Sequence, residues 1–193
     1  PPSQAEILIA GPARNNADTL ATEVDTLFKS ASGFKKAHCL VIESDSTDNT
    51  LAELEALKDS NPSFDYVSLG QLAKKMPKRT ERLACARNRI LEEVRNNSKY
   101  ASVDYVVMAD LDGINRSITR EKIEACWALP ESWDVITAVQ SDRYYDIWAL
   151  RHTDWNPIDC FTQRSRLEAA IGKEAANNLA VKAKQVVLPS TGM

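Results

Sequence analysis

Six glycines and two histidines in 193 residues set the first limits on this protein. So few glycines leave little room for loops that cradle phosphates. No GxGxxG follows an apolar run and no GxxxxGK[ST] occurs, which excludes a Rossmann dehydrogenase and a P-loop NTPase. Two histidines exclude a His-rich metal site. The four cysteines (Cys39, Cys85, Cys126 and Cys160) form no CxxC pair and no zinc spacing. Cys39 and Cys85 sit within apolar segments, where a free thiol behaves as a small hydrophobe, and this points to a reducing compartment. The longest apolar stretches, such as Val103 to Ala109, fall far short of the ~20 residues needed to span a bilayer. No signal-peptide pattern opens the chain, so a cytoplasmic protein is expected. There is no basic excess either. A net charge of −3 and a pI near 5.5 argue against a nucleic-acid partner, because duplex binding rests on neutralising phosphates.

What remains is an ordinary globular composition, 44% hydrophobic and 26% charged, which excludes disorder, coiled coil and collagen. The length suits one domain over residues 1–193. The chain starts without Met and stops at Ser190-Thr191-Gly192-Met193, which reads as a piece of a longer polypeptide. Ala5–Ala10 is a short apolar run closed by Gly11-Pro12, the pattern of a buried strand. Asn15 and Asn16 open a helical pattern with Leu20, Val24, Leu27 and Phe28 at spacings of three and four. Cys39–Ile42 is a second strand. Ser46, Thr47 and Asp48 are helix-cap residues before Leu51, Leu54 and Leu57. Phe64–Leu69 is a third strand, a helix follows over about Thr80 to Arg95, and Val103–Ala109 is a fourth strand. Three βα units and a further strand predict an α/β fold with a largely parallel sheet between helices. Beyond Gly113 the pattern predicts a helix near Thr119–Trp127, strands near Asp134–Val139 and Tyr144–Trp148, and helices from Gln163 onward.

In open α/β sheets, ligands bind beyond the carboxyl ends of the strands. Asp110-Leu111-Asp112 follows the fourth strand. In extended chain its two carboxylates point to one face and can share a hard cation. Fourteen aspartates give roughly one such pair by chance, and a turn after the strand is the plainer alternative. Arg87 falls on the third helix among Leu83, Ile90, Leu91 and Val94, which predicts a guanidinium in the apolar stripe. Buried there it needs an anion, either a carboxylate at the strand ends or a ligand's diphosphate. Around it, Lys74, Lys75, Lys78, Arg79 and Arg82 form the most basic stretch of an acidic chain. Glu43 and Asp45 flank the end of the second strand, where a carboxylate contacts ribose or base or, alternatively, caps the next helix. The segment Tyr144 to His152 combines aromatic and charged groups suited to a sugar, although Trp148 and one Tyr also suit a core. His152 is more simply a structural histidine than a metal ligand.

Together these residues resemble a known family. Glu-Ser-Asp-Ser-Thr-Asp-Asn-Thr at a strand end, Ala86-Arg87-Asn88 on a helix and Val-Val-Met-Ala-Asp110-Leu-Asp112 resemble the nucleotide-sugar-binding half of GT-A glycosyltransferases. Tyr145 to Arg151 is similar to the fungal capsule-type mannosyltransferases, and the chain resembles the glycosyltransferase domains that large algal viruses encode to decorate their capsids. The resemblance covers about Ala5 to Asp159. It implies a GT-A fold and transfer of a sugar from a UDP- or GDP-sugar donor to a glycan or glycoprotein acceptor. By the same resemblance Ala13 and Arg14 line the base and diphosphate pocket, Glu43 and Asp45 contact base or ribose, and Arg87 touches the diphosphate. Asp110 and Asp112 handle ribose and Mn²⁺ or Mg²⁺, and Trp148 lies on the sugar-nucleotide side. Asp146 is the candidate base or nucleophile, with Asp159 behind it. The acceptor-side region is short and the family's later metal-ligand His is not placed. Two rival readings stand beside this one. A haloacid-dehalogenase-type phosphatase would use Asp110 and Asp112, but its motif belongs on the first strand of its fold. A non-catalytic sugar-nucleotide-binding module would share the binding residues and differ only in turnover.

Overall fold

The computed structural model describes residues 1–137, 158 and 160–175. The chain divides into two compact units, Pro1–Trp133 and Asp134–Met193. In the first, β1(Glu6–Ala13), α1(Ala17–Ser30), β2(Lys36–Glu43), α2(Thr50–Ser60), β3(Phe64–Ser68), α3(Arg79–Asn96), β4(Tyr105–Met108) and α4(Arg120–Glu124) follow one another. In the second, the described helix is α5(Cys160–Ile171). The four strands form one parallel sheet in the order β3-β2-β1-β4.

Alternation along the strands builds the two faces. Ile7, Ile9, Cys39, Val41 and Phe64 point to one side, where Leu20, Val24 and Leu27 of α1 and Leu54 of α2 cover them. Leu8, Ala10, Leu40 and Ile42 point to the other, against Ala86 and Ile90 of α3 and against Tyr100. A strand covered on both faces must be apolar at every position, which is why β1 and β2 read as unbroken runs. Each fully buried Leu or Ile contributes roughly 1.5–3 kcal/mol, so these two clusters carry the stability of the unit.

The expected α/β architecture is what the chain adopts, with several shifted boundaries. β1 does not close at Gly11-Pro12 but pairs with β2 as far as Ala13↔Glu43. The proline is tolerated for a topological reason. Ala10 accepts from Ala109 N–H on the β4 side and Ala13 accepts from Ser44 N–H on the β2 side. By alternation Pro12 faces the β4 side, where the ladder has already ended at Met108, so its missing N–H costs no bond. β4 is shorter than the apolar run 103–109, because Val103 N–H bonds back to Tyr100 in a turn. The strand expected near 134–139 does not form over 134–137. Residues 138–139 and the strand expected at 144–148 lie outside the described residues.

Candidate functional site

At the carboxyl end of the sheet, three loops are tied to one another by side chains. Asn16 heads α1 but makes no cap bond of its own. Its Oδ1 accepts from Arg14 N–H at 2.7 Å, and its Nδ2 donates to the Leu111 carbonyl at 2.8 Å. The capping work passes to Asp48. One carboxylate oxygen accepts from Thr50 N–H at the start of α2, and the other accepts from Ala17 N–H at the start of α1. The Thr50 hydroxyl also donates to Asp48 and is the main cause holding this carboxyl below its ordinary pKa. Asp48 thus caps, as expected of it, but serves two helices. Asn15 and Asp45 hold the left-handed conformation, with φ of 53° and 61°. Asn and Asp tolerate it better than other non-glycine residues. Asn15 uses it to accept from Thr47 N–H at 2.8 Å, which joins the β1 and β2 loops.

Asp110 and Asp112 are both exposed, and between them Leu111 is buried in the core. The buried leucine fixes the chain, and alternation sends the two carboxylates outward. Gly11 makes this approach sterically feasible. A Cβ there would sit on the Ala109 carbonyl oxygen and 3.2 Å from Leu111 Cγ.

Arg87 requires a correction. The buried positions of α3 are Ala86 and Ile90, so the core-facing stripe runs one residue away from the one the sequence suggested. Arg87 lies on its flank with the side chain 51% exposed, and Nη2 reaches Oδ1 of Asp110, itself 55% exposed, at 3.3 Å. Of the two anions considered for it, the structure shows the strand-end carboxylate. Arg82 on the same helix is more enclosed, its side chain 12% exposed, with Nε 3.4 Å from Asp45 Oδ2 and Nη1 donating to the Met76 and Pro77 carbonyls. Asp45 is committed further, since its Oδ1 accepts from Ala73 N–H and its carbonyl from Arg14 Nε. Glu43 is buried, accepting from Ser46 N–H through one oxygen and from the Ser68 hydroxyl through the other. Both carboxylates therefore brace the β2 loop. Ala13 is buried beneath it, and Arg14 is exposed above.

Mg²⁺ and Mn²⁺ commonly bind through one or two carboxylates together with substrate phosphates and water. Two exposed carboxylates on a pinned backbone fit that mode. They do not form an all-protein cage, since among the described residues no three His, Cys, Asp or Glu side chains converge. Asp146, Trp148, His152 and Asp159 lie outside the described residues. A cleft of about 580 Å³ runs beside α3 between Leu69, Met76, Cys85 and Asn88, and neither Arg87 nor Asp110 lines it. Among the described residues no helix is long and apolar enough to cross a membrane.

Sequence reasoning missed Asn16, Asn115 and the structural use of Arg82. Their long-range contacts reach across 37 to 95 residues of chain, which no local pattern marks.

No protein-family model matches the chain and no curated protein does. Among solved structures it is similar to a crystal structure of S. aureus TarS, residues 1–349, with 18% identity and a TM-score of 0.41. That match covers 64% of this chain and 31% of the other, so the matched part is about a third of that structure's length.

Proposed function

We propose that this chain is a metal-dependent glycosyltransferase of the GT-A type, using a nucleoside-diphosphate sugar as donor and a glycan or glycoprotein as acceptor. The observation that carries the reading is the contact of Arg87 with Asp110 beyond β4, with Asp112 exposed two residues on, beside loops braced against the ends of β1 and β2. Asp110 and Asp112 would hold Mn²⁺ or Mg²⁺, which when bound neutralises charge on the departing diphosphate. Arg87 completes the electrostatics. Its pairing with Asp110 is solvent-exposed, a class worth only about 0–1 kcal/mol, so the guanidinium can exchange the carboxylate for a diphosphate oxygen at little cost. Arg14 stands on the adjacent loop as a second cation for the diphosphate. Ala13, Glu43 and Asp45 contribute by shaping the loop on which base and ribose would rest. Asp146 or Asp159 would supply the base or nucleophile, and Trp148 would pack on the donor.

The test is a thermal-shift panel of UDP, GDP, CDP and their sugars, with and without Mn²⁺. A ligand at 100 times its Kd adds about 2.7 kcal/mol. For a chain of this size that raises Tm by about 5–10 °C. A metal-dependent shift with one nucleotide, lost in Asp112→Ala, is the expected result. No shift with any nucleotide would end the glycosyltransferase reading.

A further inference from the structure

Glu23 is an unusual residue to find where it is. It lies in α1 beside Leu20, Val24 and Leu27 and is only 3% exposed. A buried carboxylate is costly unless it is hydrogen-bonded, and an apolar side chain at this position would cover the sheet as well. Its Oε2 accepts from Asn115 Nδ2 at 2.6 Å, across 92 residues of sequence. The same Nδ2 donates to the Asp110 carbonyl, also at 2.6 Å. Both partners are pure acceptors, so the amide must turn its nitrogen to them, and its two N–H bonds are divided between them. Asn16 holds the next carbonyl, that of Leu111. The backbone from which Asp110 and Asp112 rise is therefore gripped at two consecutive carbonyls, from two sides.

We infer that Glu23 and Asn115 are positioning residues that set the Asp110–Asp112 backbone for a divalent cation, an inference that rests on the function proposed above. Glu23 touches neither cation nor donor. It orients Asn115, and Asn115 holds the loop. Residues of this kind around metal ligands typically govern affinity by about 10–100-fold.

The experiment compares wild type with Asn115→Ala, Asn115→Asp, Glu23→Gln and Glu23→Leu. Ile90→Val, a core trimming against the opposite face of the sheet, serves as the stability control. Mn²⁺ binding is followed by electron paramagnetic resonance in the presence of UDP and of GDP, and amide exchange at residues 111–113 is measured without metal. Asn115→Ala, Asn115→Asp and Glu23→Leu should raise the Mn²⁺ Kd about tenfold or more and speed exchange in the loop. Glu23→Gln keeps an oxygen to accept from Asn115 and should stay near wild type. Ile90→Val should lower Tm and leave the Kd unchanged. If the Asn115 variants lose Tm but bind Mn²⁺ as wild type does, the positioning role is refuted while the donor reading stands. If wild type itself binds no Mn²⁺ with either nucleotide, both fall together. Should Asn115→Asp fail to fold, with its new charge beside Glu23, Asn115→Ala carries the test.

Discussion

Replacing Gly11 by alanine tests the geometry of the site with a single methyl group. Gly11 keeps an ordinary negative φ, so alanine suffers no backbone strain and the cost is purely one of space. The added Cβ would overlap the Ala109 carbonyl oxygen and press on Leu111 Cγ at 3.2 Å. Backbone faces backbone here, and no side chain can rotate away. The chain beyond β4 must retreat by roughly an ångström to restore normal contact. That retreat pulls Leu111 from the core and loosens its bond to Asn16. Overpacking of this kind costs about 1–3 kcal/mol, which lowers Tm by about 2–12 °C. Gly33→Ala is the matched control. Its Cβ would meet the ends of the Glu124 and Arg120 side chains, which can move aside. Alanine there should be neutral or stabilise by about 0.4–1 kcal/mol through the unfolded chain. Scanning calorimetry on the two variants, with Mn²⁺ titrations beside it, reads both effects. A Gly11→Ala protein that melts within about 1 °C of wild type and binds metal equally would refute the close approach.

Other parts of the structure make further predictions. Arg87→Ala should change stability by less than about 0.5 kcal/mol, because the pair it breaks is exposed, yet weaken the metal-dependent nucleotide shift, as melting curves with and without nucleotide would show. His38 is buried and edge-on to Tyr100 at 5.7 Å, and burial pushes its pKa below 6.5. The unfolded chain takes up the proton first as pH falls, so this contribution to stability is present above pH ~6.5 and is lost below it, toward the folded pKa. Urea midpoints from pH 7.5 to 5 should fall less steeply in His38→Phe than in wild type. Burial raises the Cys39 thiol to about 12, so it should resist thiol reagents in the folded protein while Cys85 and Cys126, both half-exposed, react before it. A fast-reacting Cys39 in a mass-spectrometric map would contradict the core position of β2.

The lesson of the sequence is that periodicity carries far for elements whose partners are close in the chain. Leu20, Val24 and Leu27 repeat at helical spacing and are buried in α1, and the apolar runs became the central strands β1 and β2. Sheets of βα units are parallel because each helix must return the chain to the same edge, and that much needs only local patterns. Asp110-x-Asp112 could likewise be placed at a strand end, and alternation alone says its carboxylates share a face. The order β3-β2-β1-β4 is another matter, since any of several pairings would satisfy the same apolar runs. Which side of α3 meets the sheet was also beyond reach. Arg87 and Ala86 differ by about 100° on the helix, and only docking decides that Ala86 is buried and Arg87 reaches Asp110. Asp45 gives up its carboxylate to Arg82, and Glu43 gives one oxygen to its own loop and the other to Ser68 of β3, because packing brought those partners within reach. Glu23 and Asn115 stand 92 residues apart and no spacing rule joins them. The sequence determined the strands, the helices and the carboxylates at their ends. The tertiary structure decided which side chains grip those carboxylates, because hydrogen bonds act over about 3 Å of space whatever the distance along the chain.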